Sequence, residues 1–553
     1  MPEQNGPEAW RQRYVHPCDW TADFPPLAVT EMLAESVRRH PDRVLVDFMG
    51  REFTYEAIEA DARRFAAGLQ AMGIVKGDRV GIYLPNVPIF VSAYYGAMMA
   101  GAVVVSFSTM SPGEEFLTQV ADSGARILVT IDDARLLENA EETLKEGMVE
   151  RLVVARFASL LPFWLSVRLR LFHRRFAAAV RGRPGVVEWS EALADGPLVP
   201  VAIDPLLDAA MLQYTGGTTG APIAAILSHQ NIASAARQFV AVEPHSHARH
   251  VIVGTLPLFH IFGNICVLNA AVSGGGTIAM LPHFRAGQVL ATIERTKATT
   301  MPGVPAMFRA LLDYPTLEKH DLSSLFTCIS GGAPMLAELK RSFEKATGAK
   351  LVEGYGLTEA AGVVAANPFD GREKAGTVGH PLPATHLRLL DREDPARDAV
   401  AGEAGELAVS GPQVMLGYWH VEPGNQPFVE HEGKRWLRTG DIASIDEDGY
   451  VSLIDRVDDI IAVDGSRVSP ARVEQKFSSH PEVRDVMVVG KTGDDGRLTL
   501  RGFVVLEPSS KASEVELLLW INDRVSRHDR IESIEVRTTL PRTALGKPDR
   551  KEL

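Results

Sequence analysis

An uncharged stretch at residues 80–113 constrains the fold of this chain more than any other feature. Its central part, 87–107, is long enough to span a membrane as a helix. However, a short β-rich run ends at Asn86-Val-Pro, and Gly101 separates a helix-length segment from the β-branched run that begins at Val103. Strand, helix and strand in this order are typical of a βαβ unit, whose buried parallel strands are continuous apolar runs. We therefore predict a buried βαβ unit, with a membrane span as the alternative.

The composition excludes several classes of protein. Of the 553 residues, 46% are hydrophobic and 23% are charged, which is ordinary for a globular protein and excludes disordered, collagen-like and disulfide-based chains. Lys and Arg number 57 against 70 Asp and Glu, and the net charge of −13 offers no general attraction to nucleic acid. Cys18, Cys266 and Cys328 are widely spaced, so we expect reduced cytosolic thiols rather than a metal cluster. The polar N-terminus lacks the apolar core of a signal peptide, and we expect a cytoplasmic protein.

The order of the remaining segments predicts an α/β fold. Short apolar strands alternate with helical stretches, which indicates parallel sheets covered by helices. Residues 384–455 lose the long helices and carry turn signals, so we predict a β-rich subdomain there. A small α+β unit follows a linker at 456–458. We thus expect a large N-terminal domain of stacked α/β subdomains plus the β-rich subdomain at 1–455, and a C-terminal cap domain at 459–553.

Residues 151–187 reverse the acidic character of the chain. They contain eight arginines, one histidine and no acidic residue, with Phe and Trp side chains interleaved. On an acidic protein this pattern is typical of an amphipathic segment on a membrane surface. A surface helix whose arginines pair with carboxylates elsewhere is the alternative, and the sequence leaves both open.

The most informative stretch is a loop rich in glycine and threonine, Tyr214-Thr-Gly-Gly-Thr-Thr-Gly-Ala-Pro222. It follows an apolar strand and precedes a helix that begins near Ser228 and His229. Its glycines allow consecutive N–H groups to point at one anion, and its threonine hydroxyls add donors. The loop suits a polyphosphate, although it lacks the GK[ST] ending of a P-loop and could be a simple turn.

Further motifs follow this loop along the chain. They are Leu256-Pro-Leu-Phe-His260-Ile-Phe-Gly, Ser330-Gly-Gly-Ala-Pro-Met335, Glu353-Gly-Tyr-Gly-Leu-Thr-Glu359, Arg438-Thr-Gly-Asp441, Asp455-Arg-Val-Asp-Asp-Ile-Ile and Pro541-Arg-Thr-Ala-Leu-Gly-Lys547-Pro-Asp-Arg550. In this order and spacing, over nearly the whole chain, they resemble the adenylate-forming superfamily of acyl-CoA synthetases, adenylation domains and luciferases. The forms of the phosphate loop and of the motif that ends at Glu359 are most similar to bacterial long-chain fatty-acid CoA ligases.

The resemblance implies that a carboxylic acid is activated with ATP to acyl-AMP and pyrophosphate, and that the acyl group then passes to a thiol. The loop would cradle the phosphates through six residues: Thr215, Gly216, Gly217, Thr218, Thr219 and Gly220. Thr215 and Glu359 would hold Mg²⁺, a hard cation that takes few protein oxygens beside phosphate oxygens and water. Thr358 would hydrogen-bond the α-phosphate. The alternative for Glu359 is a carboxylate in the first turn of a helix.

The resemblance also implies how the nucleoside and the acyl carboxylate are bound. The backbone of four residues would line the adenine slot: Gly332, Ala333, Glu353 and Gly354. Tyr355 would stack on the base, and Asp441 would accept both ribose hydroxyls with Arg456 nearby. His260 lies in an apolar setting, which is typical of a core histidine, but its motif position implies a catalytic place next to the acyl carboxylate.

The C-terminal motifs divide between the two half-reactions. Lys547 matches the catalytic lysine that bridges the carboxylate and the α-phosphate, although a lysine so near the C-terminus could be a plain solvated charge. The resemblance implies that the small domain is mobile and rotates about a hinge at 456–458, in which Asp458 occupies the hinge position. Gly465 and Arg467 would then serve the attack by coenzyme A. A simple turn residue is the alternative for Asp458.

The sequence departs from the family pattern directly after the loop. Where the pattern has Lys-Gly, this chain has Ile223-Ala224. The lysine would meet the terminal phosphates and isoleucine cannot replace its charge, so the binding of pyrophosphate is in doubt. Ala462 likewise replaces a frequent lysine near the hinge.

We expect an acid–thiol ligase that uses ATP, Mg²⁺ and coenzyme A, with a medium- or long-chain fatty acid as substrate and no nucleic-acid partner. The candidate acyl-tunnel residues are apolar or small: His260, Ile261, Phe262, 301–304 and Gly331. The chain ends shortly after Lys547 with no carrier domain, which favours coenzyme A as acceptor. The alternatives are an aryl- or short-chain-acid CoA ligase, and a weakly active or inactive binder because of Ile223. A homodimer and peripheral membrane contact through 151–187, at the inner face of the membrane, stay open.

Overall fold

The computed structural model describes residues 9–172, 182–215, 223–243, 250–457, 459, 461–463, 466–492, 498–508, 510–542 and 549–553. Within them the uncharged stretch folds as strand Arg79–Ile82, helix Pro88–Met99 and strand Val103–Ser106, and the two strands are parallel neighbours. The helix is buried on all sides, which explains why it carries no charge. The predicted βαβ unit is confirmed, and no helix in the described ranges is long and apolar enough to cross a membrane.

Strands and helices are numbered here in chain order. The first large sheet has, among the described residues, the strand order β19-β9-β8-β4-β3-β5-β6-β7. Its strands are β3 (Arg79–Ile82), β4 (Val103–Ser106), β5 (Ala125–Ile131), β6 (Arg151–Ala155), β7 (Val186–Glu188), β8 (Ala209–Thr215), β9 (Ile223–Ser228) and β19 (Gly417–Tyr418). The strands from β8 to β7 in this order are parallel, and β9 is antiparallel to both of its described neighbours, β8 and β19.

The second large sheet has the order β16-β15-β14-β13-β12-β10-β11-β1-β2 over the described ranges. Its strands are β1 (Val44–Phe48), β2 (Arg51–Thr54), β10 (Val251–Gly254), β11 (Thr277–Met280), β12 (Thr300–Gly303), β13 (Thr327–Ser330), β14 (Lys350–Tyr355), β15 (Ala365–Ala366) and β16 (His380–Pro381). The strands from β1 to β14 in this order are parallel, and both edges are antiparallel.

Helices cover these sheets. Those of the N-terminal domain are α1 (Val29–Arg39), α2 (Tyr55–Ala71), α3 (Pro88–Met99), α4 (Gly113–Ser123), α5 (Ala134–Lys145), α6 (Phe163–Phe172), α7 (Trp189–Ala192), α8 (His229–Val242), α9 (Ile261–Gly263), α10 (Ala270–Gly274), α11 (Ala286–Thr296), α12 (Pro305–Leu312) and α13 (Ala337–Thr347). Thr54 caps α2, since its side chain accepts a hydrogen bond from the N–H of Ala57. Ser228 and Asn231 form a capping box at the start of α8.

The chain then becomes β-rich, as predicted. An antiparallel sheet contains β17 (His386–Leu390), β18 (Gly405–Ser410), β20 (Phe428–His431), β21 (Lys434–Ile445) and β22 (Val451–Arg456). The small C-terminal domain contains β23 (Ile461–Val463), β24 (Ser466–Val468), α14 (Pro470–Phe477), β25 (Val483–Thr492), β26 (Leu498–Leu506), α15 (Glu514–Asn522) and β27 (Ser533–Val536). A strand that was not predicted, β9, lies between the glycine-rich loop and α8.

Candidate active site

A cavity of about 1230 Å³ lies where the carboxyl ends of the parallel strands of both large sheets meet. Its lining includes Pro85, Thr109, Asp133 and Phe157 from the segments after β3, β4, β5 and β6. From the second sheet it includes the segments after five strands: Thr255 after β10, Pro282 after β11, Val304 after β12, Gly331 after β13 and Gly356 after β14. In α/β proteins, ligands bind outside the carboxyl ends of parallel strands, so this cavity is the candidate active site.

Tyr355, Asp441 and Arg456 meet beside this cavity. The phenol of Tyr355 donates a hydrogen bond of 2.5 Å to Asp441 Oδ2, and Arg456 Nε lies 3.6 Å from Asp441 Oδ1. The register of β21 and β22 sets Asp441 opposite Arg456. Burial, together with the charge of Asp441, raises the pKa of Tyr355 far above its ordinary value, so the phenol stays a donor. The structure thus brings together three residues that the sequence analysis assigned to the nucleoside, while Tyr355 also orients Asp441.

The predicted adenine slot consists of the turn after β13 and the end of β14. Gly332 has a φ of +81°, which favours glycine, and Gly354 would bring a Cβ within 2.8 Å of Ile329 Cδ1. Glu353 accepts a hydrogen bond from the N–H of Met335 at 3.3 Å, which ties the turn to β14. Burial raises the pKa of this carboxyl group. Ala333 lies in the same turn, half-buried beside Gly332.

Glu359 lies in a 3₁₀ turn at Thr358–Ala360, directly after the strand that carries Tyr355. The phenol of Tyr418 donates a 2.7 Å hydrogen bond to Glu359 Oε1, and the N–H of Met415 donates to the carbonyl of Glu359 at 2.8 Å. Thr358 lines the cavity. Tyr418 was missed by sequence reasoning, because a two-residue strand has no periodic signal and only the tertiary fold brings it to position 359.

Thr215 ends β8, and the ladder places it opposite Ile223 at the start of β9. The turn that carries Glu359 contacts β9, the strand that is paired with the one ending at Thr215. The chemistry of these two donors fits Mg²⁺, which binds few protein oxygens and completes its shell with phosphate oxygens and water. Seven predicted residues of this site and its neighbourhood lie outside the described residues: Gly216, Gly217, Thr218, Thr219, Gly220, Asp458 and Gly465.

Lys547 also lies outside the described residues. Arg467 lies in β24, opposite Ala462 of β23, and its side chain is outside the description. Arg550, three positions after Lys547 in the sequence, pairs with Asp459 Oδ2 at 3.2 Å and Glu474 Oε2 at 2.7 Å. These ion pairs connect the C-terminal residues to Asp459, directly after the predicted hinge, and to α14.

His260 caps α9 at the wall of the cavity. Its Nδ1 accepts a hydrogen bond from the N–H of Phe262 at 3.3 Å, which in a neutral ring places the proton on Nε2. Gly263 leaves room for the tight entry to this helix, since a Cβ there would lie 2.2 Å from the carbonyl oxygen of Pro257. A π-helical turn, Asn264–Asn269, follows, as is frequent near functional sites. His260 itself lines the cavity and is half-buried.

The cavity extends beyond the tunnel residues that the sequence suggested. His260, Ile261, Phe262, Val304 and Gly331 line it, whereas Met301, Pro302 and Gly303 are buried in β12 and do not. Eight further apolar lining residues, which the sequence analysis did not select, are called here the apolar arm: Met110, Ile131, Leu136, Phe157, Leu161, Leu165, Phe284 and Met307. Arg135, whose guanidinium donates to the carbonyl of Thr109 at 2.5 Å, also lines the cavity. These residues come from both sheets, so no local pattern marks them.

The α/β fold, with a large N-terminal domain and a small C-terminal domain, is that of the class of adenylate-forming enzymes. Sequence comparison agrees: the profile of the AMP-binding enzyme family matches residues 33–419, and that of the AMP-binding enzyme C-terminal domain matches residues 472–547. The chain belongs to the AMP-binding enzyme family and is an ATP-dependent acid–CoA ligase.

Named relatives cover almost the full chain. A long-chain-fatty-acid–CoA ligase from Bacillus subtilis (strain 168) is 34% identical over 98% of this chain and 97% of its own length. Among solved structures, the anthranilate CoA ligase AuaEII in complex with anthranoyl-AMP is 26% identical with a TM-score of 0.81, covering 96% of this chain and 97% of its own. ATP-bound MatB from Rhodopseudomonas palustris is 25% identical with a TM-score of 0.80, covering 95% and 98%.

Proposed function

We propose that the chain converts a medium- or long-chain fatty acid to acyl-AMP and then to acyl-CoA, with release of pyrophosphate and AMP. The apolar arm of the cavity carries this proposal. Residues such as Ile131, Leu136, Phe157 and Leu161 offer no charged partner to an acyl chain, and burying each CH₂ is worth about 0.8 kcal/mol. The relative from Bacillus subtilis, whose name specifies long-chain fatty acids, supports the same substrate.

In the proposed first step the acid carboxylate attacks the α-phosphate, and the site must offset the charge of two anions. Tyr355, Asp441 and Arg456 bind the nucleoside. Thr215 and Glu359 hold Mg²⁺, which would supply charge neutralisation on the phosphates when bound. Lys547 bridges the two reacting groups, and His260 orients the acyl carboxylate through Nε2.

In the proposed second step the C-terminal domain, residues 459–553, rotates about Asp458 in the linker 456–458. Lys547 leaves the site, and the face with Gly465 and Arg467 enters for attack by coenzyme A. Hinges of this type are a few residues that absorb a change in φ and ψ.

Acid-dependent pyrophosphate release tests the proposal. Acids of C4 to C18 and benzoate are compared with and without coenzyme A, and thioester formation is followed separately. We expect kcat/KM to rise with chain length. A preference for benzoate or butyrate would favour the aryl- or short-chain alternative instead, for which the anthranilate CoA ligase structure is the supporting observation.

The same assay addresses the absent lysine. Ile223→Lys, alone and with Ala224→Gly, is expected to raise the rate and to strengthen product inhibition by pyrophosphate, because it adds a cation at the mouth of the loop. Wild-type protein that binds ATP but forms no acyl-AMP, together with an active Ile223→Lys variant, would show that the wild-type chain is an inactive binder.

We further propose that the start of α6 contacts the inner face of a membrane. The side chains of Phe163 and Trp164 are 85% and 63% exposed, while Leu161 and Leu165 beside them line the apolar arm. An acid partitioned in the bilayer would therefore enter close to its binding site. Two arginines of 151–187 that lie outside α6 form ion pairs, Arg156 with Glu188 and Arg183 with Glu141.

Co-sedimentation with vesicles tests this contact. Trp164→Ser combined with Phe163→Ser should release the protein from vesicles that contain anionic lipid. Leu207→Ser is the matched control, because Leu207 is equally exposed elsewhere on the surface. Equal sedimentation of both variants and wild type would count against the contact.

A further inference from the structure

Tyr418 connects the carboxylate of Glu359 to the strands that flank the glycine-rich loop. Its phenol lies 2.7 Å from Glu359 Oε1. Its own strand, β19, pairs antiparallel with β9, and Tyr418 lies opposite Ala225. Since β9 is also paired with β8, which ends at Thr215, one continuous sheet joins Tyr418 to the beginning and the end of the loop.

The segment that carries Tyr418 is held on both sides. The N–H of Trp419 donates to the carbonyl of Ala224 at 2.8 Å, and the N–H of Leu416 donates to that of Ile226 at 2.9 Å. The side chain of Gln426 accepts from the N–H of Tyr418 at 2.7 Å and donates to its carbonyl at 3.1 Å. A phenol fixed in this way can hold a carboxylate in one orientation.

The direction of the hydrogen bond follows from chemistry. A phenol has an O–H to donate and a carboxylate oxygen accepts, so Tyr418 donates to Glu359 Oε1. Oε1 is thus engaged by Tyr418, and Oε2 is the oxygen available to a cation. The backbone of Glu359 is bound by the same segment through Met415.

We infer that Tyr418 is a positioning residue that sets the orientation of Glu359 toward a divalent cation bound with ATP. The inference rests on the proposed role of Glu359. The short strand β19 would then act in the first half-reaction, because it connects the carboxylate of Glu359 to β9 and, through β9, to β8. Groups that orient metal ligands typically change metal affinity by roughly 10–100-fold when they are removed.

The test is Tyr418→Phe, which keeps the ring and removes only the donor. Binding of Mn²⁺ in the presence of a non-hydrolysable ATP analogue, followed by electron paramagnetic resonance, measures the site without turnover. We expect binding weaker by roughly 10–100-fold, a higher Mg²⁺ requirement for pyrophosphate release, and an unchanged melting temperature. In kinetics at limiting Mg²⁺, kcat should fall while the KM for the acid stays constant.

Tyr95→Phe is the matched control. Tyr95 is buried in α3, and its phenol donates a 2.9 Å hydrogen bond to Asn269 Oδ1. Neither residue lies in β8, β9 or β19, or in the turn that carries Glu359. We expect no change in Mn²⁺ binding for this variant. Equal weakening in both tyrosine variants would overturn the inference, because a general effect on the fold would then explain it.

Glu359→Gln separates this inference from the proposed function. If Glu359→Gln weakens Mn²⁺ binding and Tyr418→Phe does not, only the role of Tyr418 is overturned. If neither variant changes Mn²⁺ binding, the assignment of Glu359 as a metal ligand fails as well. Weak binding in both, with a normal Tyr95→Phe control, supports the inference.

Discussion

Gly356 allows two backbone segments of the site to approach closely, and an alanine there should disable the enzyme without touching any proposed ligand. A Cβ on Gly356 would lie 1.7 Å from the carbonyl oxygen and 2.5 Å from the carbonyl carbon of Gly362, whereas Cβ contacts under 3.0 Å essentially never occur. Both clashing atoms belong to the backbone, so no rotation of a side chain relieves the contact. The two segments must separate by more than 1 Å.

The turn between these two glycines carries Thr358 and Glu359. The carbonyl of Leu357 accepts from the N–H of Ala360 at 3.1 Å and from that of Gly362 at 3.0 Å, so the turn moves as a unit with its ends. A displacement of about 1 Å in a positioned group can cost on the order of 10²-fold in rate. Overpacking of this kind also costs about 1–3 kcal/mol of stability. We therefore expect kcat/KM for acyl-AMP formation to fall about 100-fold in Gly356→Ala.

The assay is acid-dependent pyrophosphate release, with urea unfolding as the measure of stability. Gly196→Ala is the control, because a Cβ at Gly196 meets nothing within 4 Å and its φ is not positive. The control should keep wild-type kinetics and stability. A Gly356→Ala variant with kcat/KM within about twofold of wild type would refute the argument that this contact fixes the turn.

Three further changes have defined outcomes. Lys547→Ala should raise the activation free energy of acyl-AMP formation by about 3–4 kcal/mol and spare thioester formation from supplied acyl-AMP. Loss of both half-reactions would contradict the role of Lys547. Asp441→Asn should raise the KM for ATP by roughly 10-fold or more, since a hydrogen bond to a charged group is lost, while an altered KM for the acid alone would contradict the assignment. Burial lowers the pKa of His16 to about 3 and that of His380 to about 4, from an ordinary value of 6.5. Their neutral forms thus stabilise the fold fully above pH 6.5, and this contribution is lost as the pH falls below 6.5 toward these pKa values, by about 1.4 kcal/mol per pH unit and histidine. Urea unfolding between pH 7.5 and 5 should therefore show a free energy of unfolding that depends less steeply on pH in His16→Phe than in wild type. An equally steep dependence would contradict the role of His16.

Local sequence signals predicted the elements of the fold well. The uncharged stretch gave β3, α3 and β4 because apolar runs, breaks and a Pro at the start of a helix act within a few residues. The strand β9 escaped prediction, since Ile223–Ser228 carries too few residues to distinguish a strand from the start of the following helix. The domain boundaries at 455 and 459 stay predictions.

The site was only partly accessible from sequence. The resemblance selected Tyr355, Asp441 and Arg456, and the structure brings them together, but the bond from Tyr355 to Asp441 depends on how β14 and β21 lie in different sheets. Tyr418 and the arm around Leu161 were missed because their neighbours are distant in the chain. Gly356 belongs to a recognised motif, yet only the approach of Gly362 gives the physical reason for a glycine there.

The structure also separates two consequences of the missing lysine. Thr215 lies opposite Ile223 and Tyr214 opposite Ala224, so backbone hydrogen bonds of β8 and β9 fix both ends of the glycine-rich loop regardless of the side chain at 223. Ala224 is buried in β9, where a glycine would cost about 0.5–1 kcal/mol. Alanine at position 224 thus stabilises strand β9. Isoleucine at position 223 removes a charge but leaves the pairing of β8 and β9 unchanged. Ile223→Lys alone is therefore the cleaner probe of phosphate binding, because the added glycine of the double variant would combine a gain in charge with a weaker strand.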